Sequence, residues 1–214
     1  FWYEPNCVCY LALKKLEDEK GGQFEFCFIF SQSIIEDRNA IVRACAILAS
    51  GLKANLVAAR SEGAVTFPPN GECWRGGGFN MEHKEWFDSM VGKKYRIPAF
   101  LATSVKQTVT NTFMGTAEAK GFPVVQWKIQ MDKRGDPAGA NDPHYTCKHV
   151  NLLRVTHVPG EEEFLFQAFS VFTVQEVVWS NSDPATMTDP HRITLVAAVD
   201  NAQEREDLPL ARWR

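Results

Sequence analysis

The chain has 214 residues, of which 45% are hydrophobic and 23% charged, with a formal net charge of -3 and a pI near 6.0. These values are ordinary for one globular domain, and a chain of this length can bury a sizeable core without metal or disulfide staples. A mildly acidic balance argues against nucleic acid as a partner, which calls for a basic face, and no run of 18 or more apolar residues offers a membrane-spanning helix.

The chain opens at Phe1 rather than methionine and reads as an excised domain. Residues 1–65 read as helical. A short helix is expected over Val8 to Leu16, stopping at Gly21-Gly22, and Phe24 to Phe30 fits either a strand or a buried helical turn. Ile34, Ile41, Cys45, Leu48 and Leu52 recur at helical spacing, with Ser31 or Ser33 as the cap. Six cysteines (7, 9, 27, 45, 73 and 147) form no C-x-x-C pair, and Cys27 and Cys45 sit in apolar contexts suited to buried thiols. The expected setting is intracellular, or that of a secreted effector.

Thr66 to Gly71 is a loop by its turn chemistry, and it divides the helical part from a strand-rich part over residues 66–214. Three motifs follow. Trp74-Arg75-Gly76-Gly77-Gly78 joins a planar, permanently charged fork suited to phosphate with glycines that allow close approach to the backbone. Phe100-Leu101-Ala102-Thr103-Ser104 is an apolar strand ending in hydroxyls. Glu161-Glu162-Glu163 runs into Phe164-Leu165-Phe166; strand alternation would set Glu161 and Glu163 on one face, about 6 to 7 Å apart, and turn Glu162 away. Each motif also has a plain structural reading: a turn with a surface arginine, the end of a strand, a solvated acidic loop.

Val125, Trp127, Ile129 and Met131 alternate with Gln126, Lys128 and Gln130, the cleanest period-two pattern in the chain. Phe164 to Phe169, Val171 to Val178 and Ile193 to Val199 are further expected strands, with loops over Lys133 to Pro143 and Ser180 to Pro190. Helices first and strands afterwards is an α+β order. His144, Cys147, His149 and His157 match no zinc spacing, and no Gly-x-Gly-x-x-Gly stands between a strand and a helix.

Taken in order, the three motifs resemble the Arg-Ser-Glu branch of the mono-ADP-ribosyltransferases, the cholera-toxin-like and arginine-specific ecto-enzyme-like group. In that family one strand carries Arg-Gly, a second reads Phe-Leu-Ser-Thr-Ser, and a third begins Glu-x-Glu before apolar residues. Arg75 stands about thirty residues before Ser104, and Ser104 nearly sixty before Glu163, as in the family. Phe113 falls where the family keeps an aromatic that stacks on nicotinamide. The resemblance covers Trp74 to Val178. It departs at Ala102, where the family has a serine that helps hold the catalytic glutamate; Thr103 or Ser104 would then stand in, or Glu163 would be less well oriented.

The resemblance implies a split, strongly bent β-sandwich around an NAD cleft, with NAD as substrate, no metal, and a protein arginine as acceptor. It implies that Glu163 stabilises the charge developing on the ribose, and that Glu161 faces the acceptor. Arg75 would grip the pyrophosphate or its ribose, the backbone around Gly76 and Gly77 the nicotinamide amide, and Phe113 the nicotinamide ring, with Thr103 and Ser104 as buttresses. The alternatives are an NAD glycohydrolase and a non-catalytic binding module of the same fold. Poly-ADP-ribose synthesis is disfavoured, because that branch uses a His-Tyr-Glu set.

Overall fold

The computed structural model describes residues 71–132, 150–152, 160, 162–166 and 168–211. The expected helical part, the loop over Lys133 to Pro143, His144, Cys147, His149, His157 and Glu161 lie outside the described residues. Eight strands are seen: β1 Glu72–Gly78, β2 Lys94–Ile97, β3 Leu101–Ser104, β4 Val124–Met131, β5 Val150–Leu152, β6 Glu163–Phe166, β7 Ser170–Val178 and β8 His191–Ala197. Two helices, α1 Lys84–Met90 and α2 Thr110–Ala119, accompany them, so the architecture is mixed α+β. The strands join in the order β2-β7-β8-β4-β1-β3-β6-β5, antiparallel throughout except for the parallel pair β4–β8.

Period-two alternation builds the core. Val125, Trp127, Ile129 and Met131 of β4 are buried and their neighbours Gln126, Lys128 and Gln130 half-buried, as the sequence pattern requires. β8 repeats this with His191, Ile193, Leu195 and Ala197. Against these pack Phe87 of α1, Tyr95 of β2, Phe164 and Phe166 of β6, and Phe172 of β7. The Phe172 ring lies 5.1 Å from that of Phe166 and 6.3 Å from that of Tyr95. Each fully buried phenylalanine contributes about 1.5–3 kcal/mol relative to exposure.

Two strands end differently from the sequence expectation. β6 stops at Phe166 rather than Phe169, because Phe169 turns the chain in a left-handed conformation (φ 63°) with its N–H on the Ile97 carbonyl. β8 covers His191–Ala197, two residues earlier than expected.

Both helices and β2 were not anticipated in the strand-rich half. α2 buries Thr110, Met114 and Ala117, an i, i+4, i+7 stripe. It ends at left-handed Gly121 (φ 76°), where the Gly121 N–H reaches the Glu118 carbonyl and the Phe122 N–H the Ala117 carbonyl, a Schellman arrangement that satisfies two terminal carbonyls. The expected loop over Ser180 to Pro190 is present and is organised by Asp189, whose carboxylate accepts hydrogen bonds from the Ser180 hydroxyl and the Asn181 N–H. These bonds, the Ser180 one foremost, hold its pKa below the ordinary carboxylate value. The same loop is tied to α2 through the Met187 N–H, which donates to the Glu118 carboxylate at 3.0 Å.

Candidate active site

β1 is paired unequally on its two sides. Seven residue pairs join it to β4, whereas a single pair, Trp74 with Ser104, joins it to β3. Across the opening the Arg75 side chain substitutes for backbone, its Nη1 donating to the Ala102 carbonyl at 2.8 Å. A cleft of about 120 Å³ lies there, lined by Trp74, Arg75 and Gly76 from β1, Ala102, Thr103 and Ser104 from β3, Glu163 from β6, and Val109, Thr110 and Phe113 at the start of α2.

Register fixes which side chains share a face. β3 and β6 pair Ser104 with Glu163, Thr103 with Phe164 and Ala102 with Leu165. Directly opposed residues project to the same side, so Trp74, Ser104 and Glu163 form one row across three strands. Thr103 and Phe164 are both buried, and the Thr103 hydroxyl donates to the Phe164 carbonyl at 2.6 Å. Of the two hydroxyls that could replace the family's first serine, Ser104 is the one facing Glu163. Its Oγ also accepts from the Lys106 N–H at 3.0 Å. A serine at 102 would lie on that face too, one diagonal step from Glu163.

β6 begins at Glu163, and Glu162 is left-handed (φ 42°) rather than extended; Glu161 lies outside the described residues. Glu162 is exposed and ion-paired with Lys106, and its carbonyl accepts from the Val105 N–H. It is not among the residues that line the cleft.

The glycines divide. A Cβ on Gly76 would come within 2.5 Å of the Thr110 carbonyl and 2.8 Å of Met114 Cγ. Its missing side chain therefore lets α2 sit close on β1, whereas the sequence reading gave that space to a ligand. Gly77 is not among the lining residues, and a Cβ there would meet Trp127 at an ordinary 3.9 Å.

Phe113 reaches the cleft from the first turn of α2 and stays 46% exposed, so its ring is open to a ligand. That turn is held by a small network. The Thr110 hydroxyl donates to the Gln107 carbonyl at 2.6 Å and accepts from Gln126 Nε2 at 3.0 Å, and Gln107 Nε2 donates to Gln126 Oε1 at 3.3 Å. Sequence reasoning named neither Thr110 nor Gln126 as site residues; the outward alternation of β4 was the available signal for the latter.

A carboxylate, a guanidinium, hydroxyl-bearing residues and two aromatic residues thus line one cleft. Such a set can grip a flat ring and a phosphate and can stabilise positive charge developing between them. Among the described residues no group of three or more His, Cys, Asp or Glu side chains could hold a metal, and no helix is long and apolar enough to cross a membrane.

The class so defined is an α+β protein with a cleft of mixed apolar and polar lining where its mixed sheet nearly parts. No protein-family model matches the chain, and no curated protein matches it. Solved structures similar to it include the catalytic domain of VahC from Aeromonas hydrophila, 16% identical with a TM-score of 0.47 over 87% of this chain and 97% of that one. C3larvin toxin, an ADP-ribosyltransferase from Paenibacillus larvae, is 13% identical with a TM-score of 0.46 over 87% and 94%. The ADP-ribosyltransferase HopU1 of Pseudomonas syringae is 17% identical with a TM-score of 0.37, covering 60% of this chain and 44% of its own, so the chain spans under half of HopU1.

Proposed function

We infer that the chain is an NAD-dependent mono-ADP-ribosyltransferase that moves ADP-ribose from NAD to an arginine side chain of a protein and releases nicotinamide. One observation carries this reading: Arg75, Ser104, Phe113 and Glu163, drawn from three strands and a helix, line one cleft. Their chemistry fits the nicotinamide-riboside end of NAD and its nearer phosphate.

The reaction breaks the bond between the ribose C1′ and the nicotinamide nitrogen, and the electron pair leaves with the nitrogen. Positive charge grows on the ribose, the charge problem that glycosidases also meet with carboxylates. Glu163 stabilises that charge; Ser104, opposite it on β3, orients it. Phe113 stacks on the nicotinamide ring, the backbone at Gly76 holds its amide, and Arg75 binds the phosphate or ribose. Thr103 buttresses the strand pair from behind. The acceptor guanidinium then bonds to C1′ and loses a proton, which Glu161 assists by pairing with it.

Transfer of labelled ADP-ribose to an arginine analogue tests this. Glu163→Ala should lower the rate about 100- to 1,000-fold, and retention of full activity would remove Glu163 from its role. Glu161→Gln should abolish transfer while nicotinamide release continues. Free ADP-ribose as the sole product of the unaltered protein would make the chain an NAD glycohydrolase, and NAD binding without turnover would make it a binding module.

A further inference from the structure

Lys128 takes no part in the reading above, yet it touches the wall of the cleft. It belongs to the outward row Gln126, Lys128, Gln130 of β4. Its ammonium lies 5.3 Å from the centre of the Trp74 ring and 2.6 Å from the Glu72 carboxylate. Trp74 lines the cleft, and its strand partners are Lys128 on one side and Ser104 on the other. With Glu163 opposite Ser104, four strands carry the row Lys128, Trp74, Ser104, Glu163.

A large side chain on an open sheet face has rotamer freedom that a ligand must remove when it binds. A cation seated over the indole, itself tethered by a carboxylate, removes that freedom beforehand. We propose that Lys128 is a positioning residue: held by Glu72, it locks the Trp74 ring as a second aromatic wall of the cleft beside Phe113, ready for the flat nicotinamide end of NAD. This rests on the NAD reading above. Lys128 acts through Trp74 and does not touch the ligand. One face of the indole is given to the ammonium, which leaves its other face or edge to the cleft.

Two simpler roles give different results. Lys128 and Glu72 could serve only as a cross-strand pair tying β1 to β4, or Lys128 could attract the phosphates through space. NAD affinity measured by calorimetry in the Glu163→Ala protein, where turnover does not intrude, separates them. Lys128→Met should weaken NAD binding about three- to tenfold, the span of a partly exposed cation–π contact. The loss should persist at roughly 0.5 M salt, where exposed charges separated by more than a few ångströms, as Lys128 and a bound phosphate would be, are largely screened. Lys128→Arg, which keeps both the cation over the ring and the ion pair, should restore affinity to within about twofold.

Lys84→Met is the matched control. It removes the cation lying 4.8 Å from the Trp179 ring, away from the cleft, and should leave NAD affinity unchanged. With Glu163 restored, Lys128→Met should raise KM for NAD and leave kcat unaltered. The positioning role is overturned by unchanged affinity in Lys128→Met, by a loss that vanishes at high salt, or by an equal loss in Lys84→Met. If the Glu163→Ala protein binds no NAD, the NAD reading falls and the positioning role with it. NAD binding without nicotinamide release by the unaltered protein would sink the catalytic reading alone.

Discussion

On one side β1 is zipped to β4 through seven residue pairs; on the other it meets β3 at one. The β2-β7-β8-β4-β1 side spends its backbone donors and acceptors on the sheet, and its inner face is filled by Phe172, Ile193, Leu195 and Trp127. The β3-β6-β5 side departs from it at once and is bridged by the Arg75 guanidinium. Stability is concentrated where the ladder is continuous, and the polar groups a ligand could use gather where it parts.

Substitutions can break this contrast. Phe172→Ala empties a fully buried position in the continuous part and should cost about 3–5 kcal/mol in chemical denaturation, while the protein that remains folded keeps its affinity for NAD. A loss of affinity at full stability would reverse the assignment. Next comes Gly76→Ala, at the seam between β1 and α2. The added Cβ would be 2.5 Å from the Thr110 carbonyl, a clash of backbone that α2 relieves only by moving. About 1–3 kcal/mol is expected, as for overpacking generally, together with weaker NAD binding because Phe113 moves with the helix. If stability drops and binding does not, α2 does not position the ring. Smallest is Thr103→Val, which removes the 2.6 Å bond to the Phe164 carbonyl and should cost about 1 kcal/mol. Its KM for NAD should stay put, and a raised KM would mean that Thr103 serves the ligand as well as the strand pair.

Much of the sheet was legible because alternation is a direct imprint of burial: β4 reads Val125, Trp127, Ile129, Met131 inward in sequence and in space. Arg75, Ser104 and Glu163 could be picked out in order, Arg75 within β1 and the other two at strand ends. Their meeting was not legible, because the pairing of Ser104 with Glu163 is a property of register between segments nearly sixty residues apart. The helix that completes the cleft was missed for a physical reason. α2 lies on Gly76 and Gly78, and a Cβ at Gly78 would stand 3.5 Å from that of Ala117. A helix approaching that closely needs small residues on its buried face, and Thr110 and Ala117 leave little hydrophobic pattern to read. β2 hid differently: it has four residues, and its Lys94 and Arg96 are outward and engaged, by Glu204 and by the carbonyls of Phe169, Glu204 and Arg205. Nor was the left-handed turn at Glu162 legible, since an acidic run beside apolar residues gives no sign of it.

The position of β8 has a consequence for how the protein is made. It lies between β7 and β4, parallel to β4 and antiparallel to β7, although it is the last of the described strands in sequence. A ribosome therefore delivers the flanks of the sheet before its middle. Until residues 191–197 emerge, β4 and β7 each show an unpaired edge, the kind of surface that recruits other chains. The strands that bring Arg75, Ser104 and Glu163 are all synthesised by then, so a nascent chain holds the three described strands that line its cleft while still lacking the one that joins its sheet.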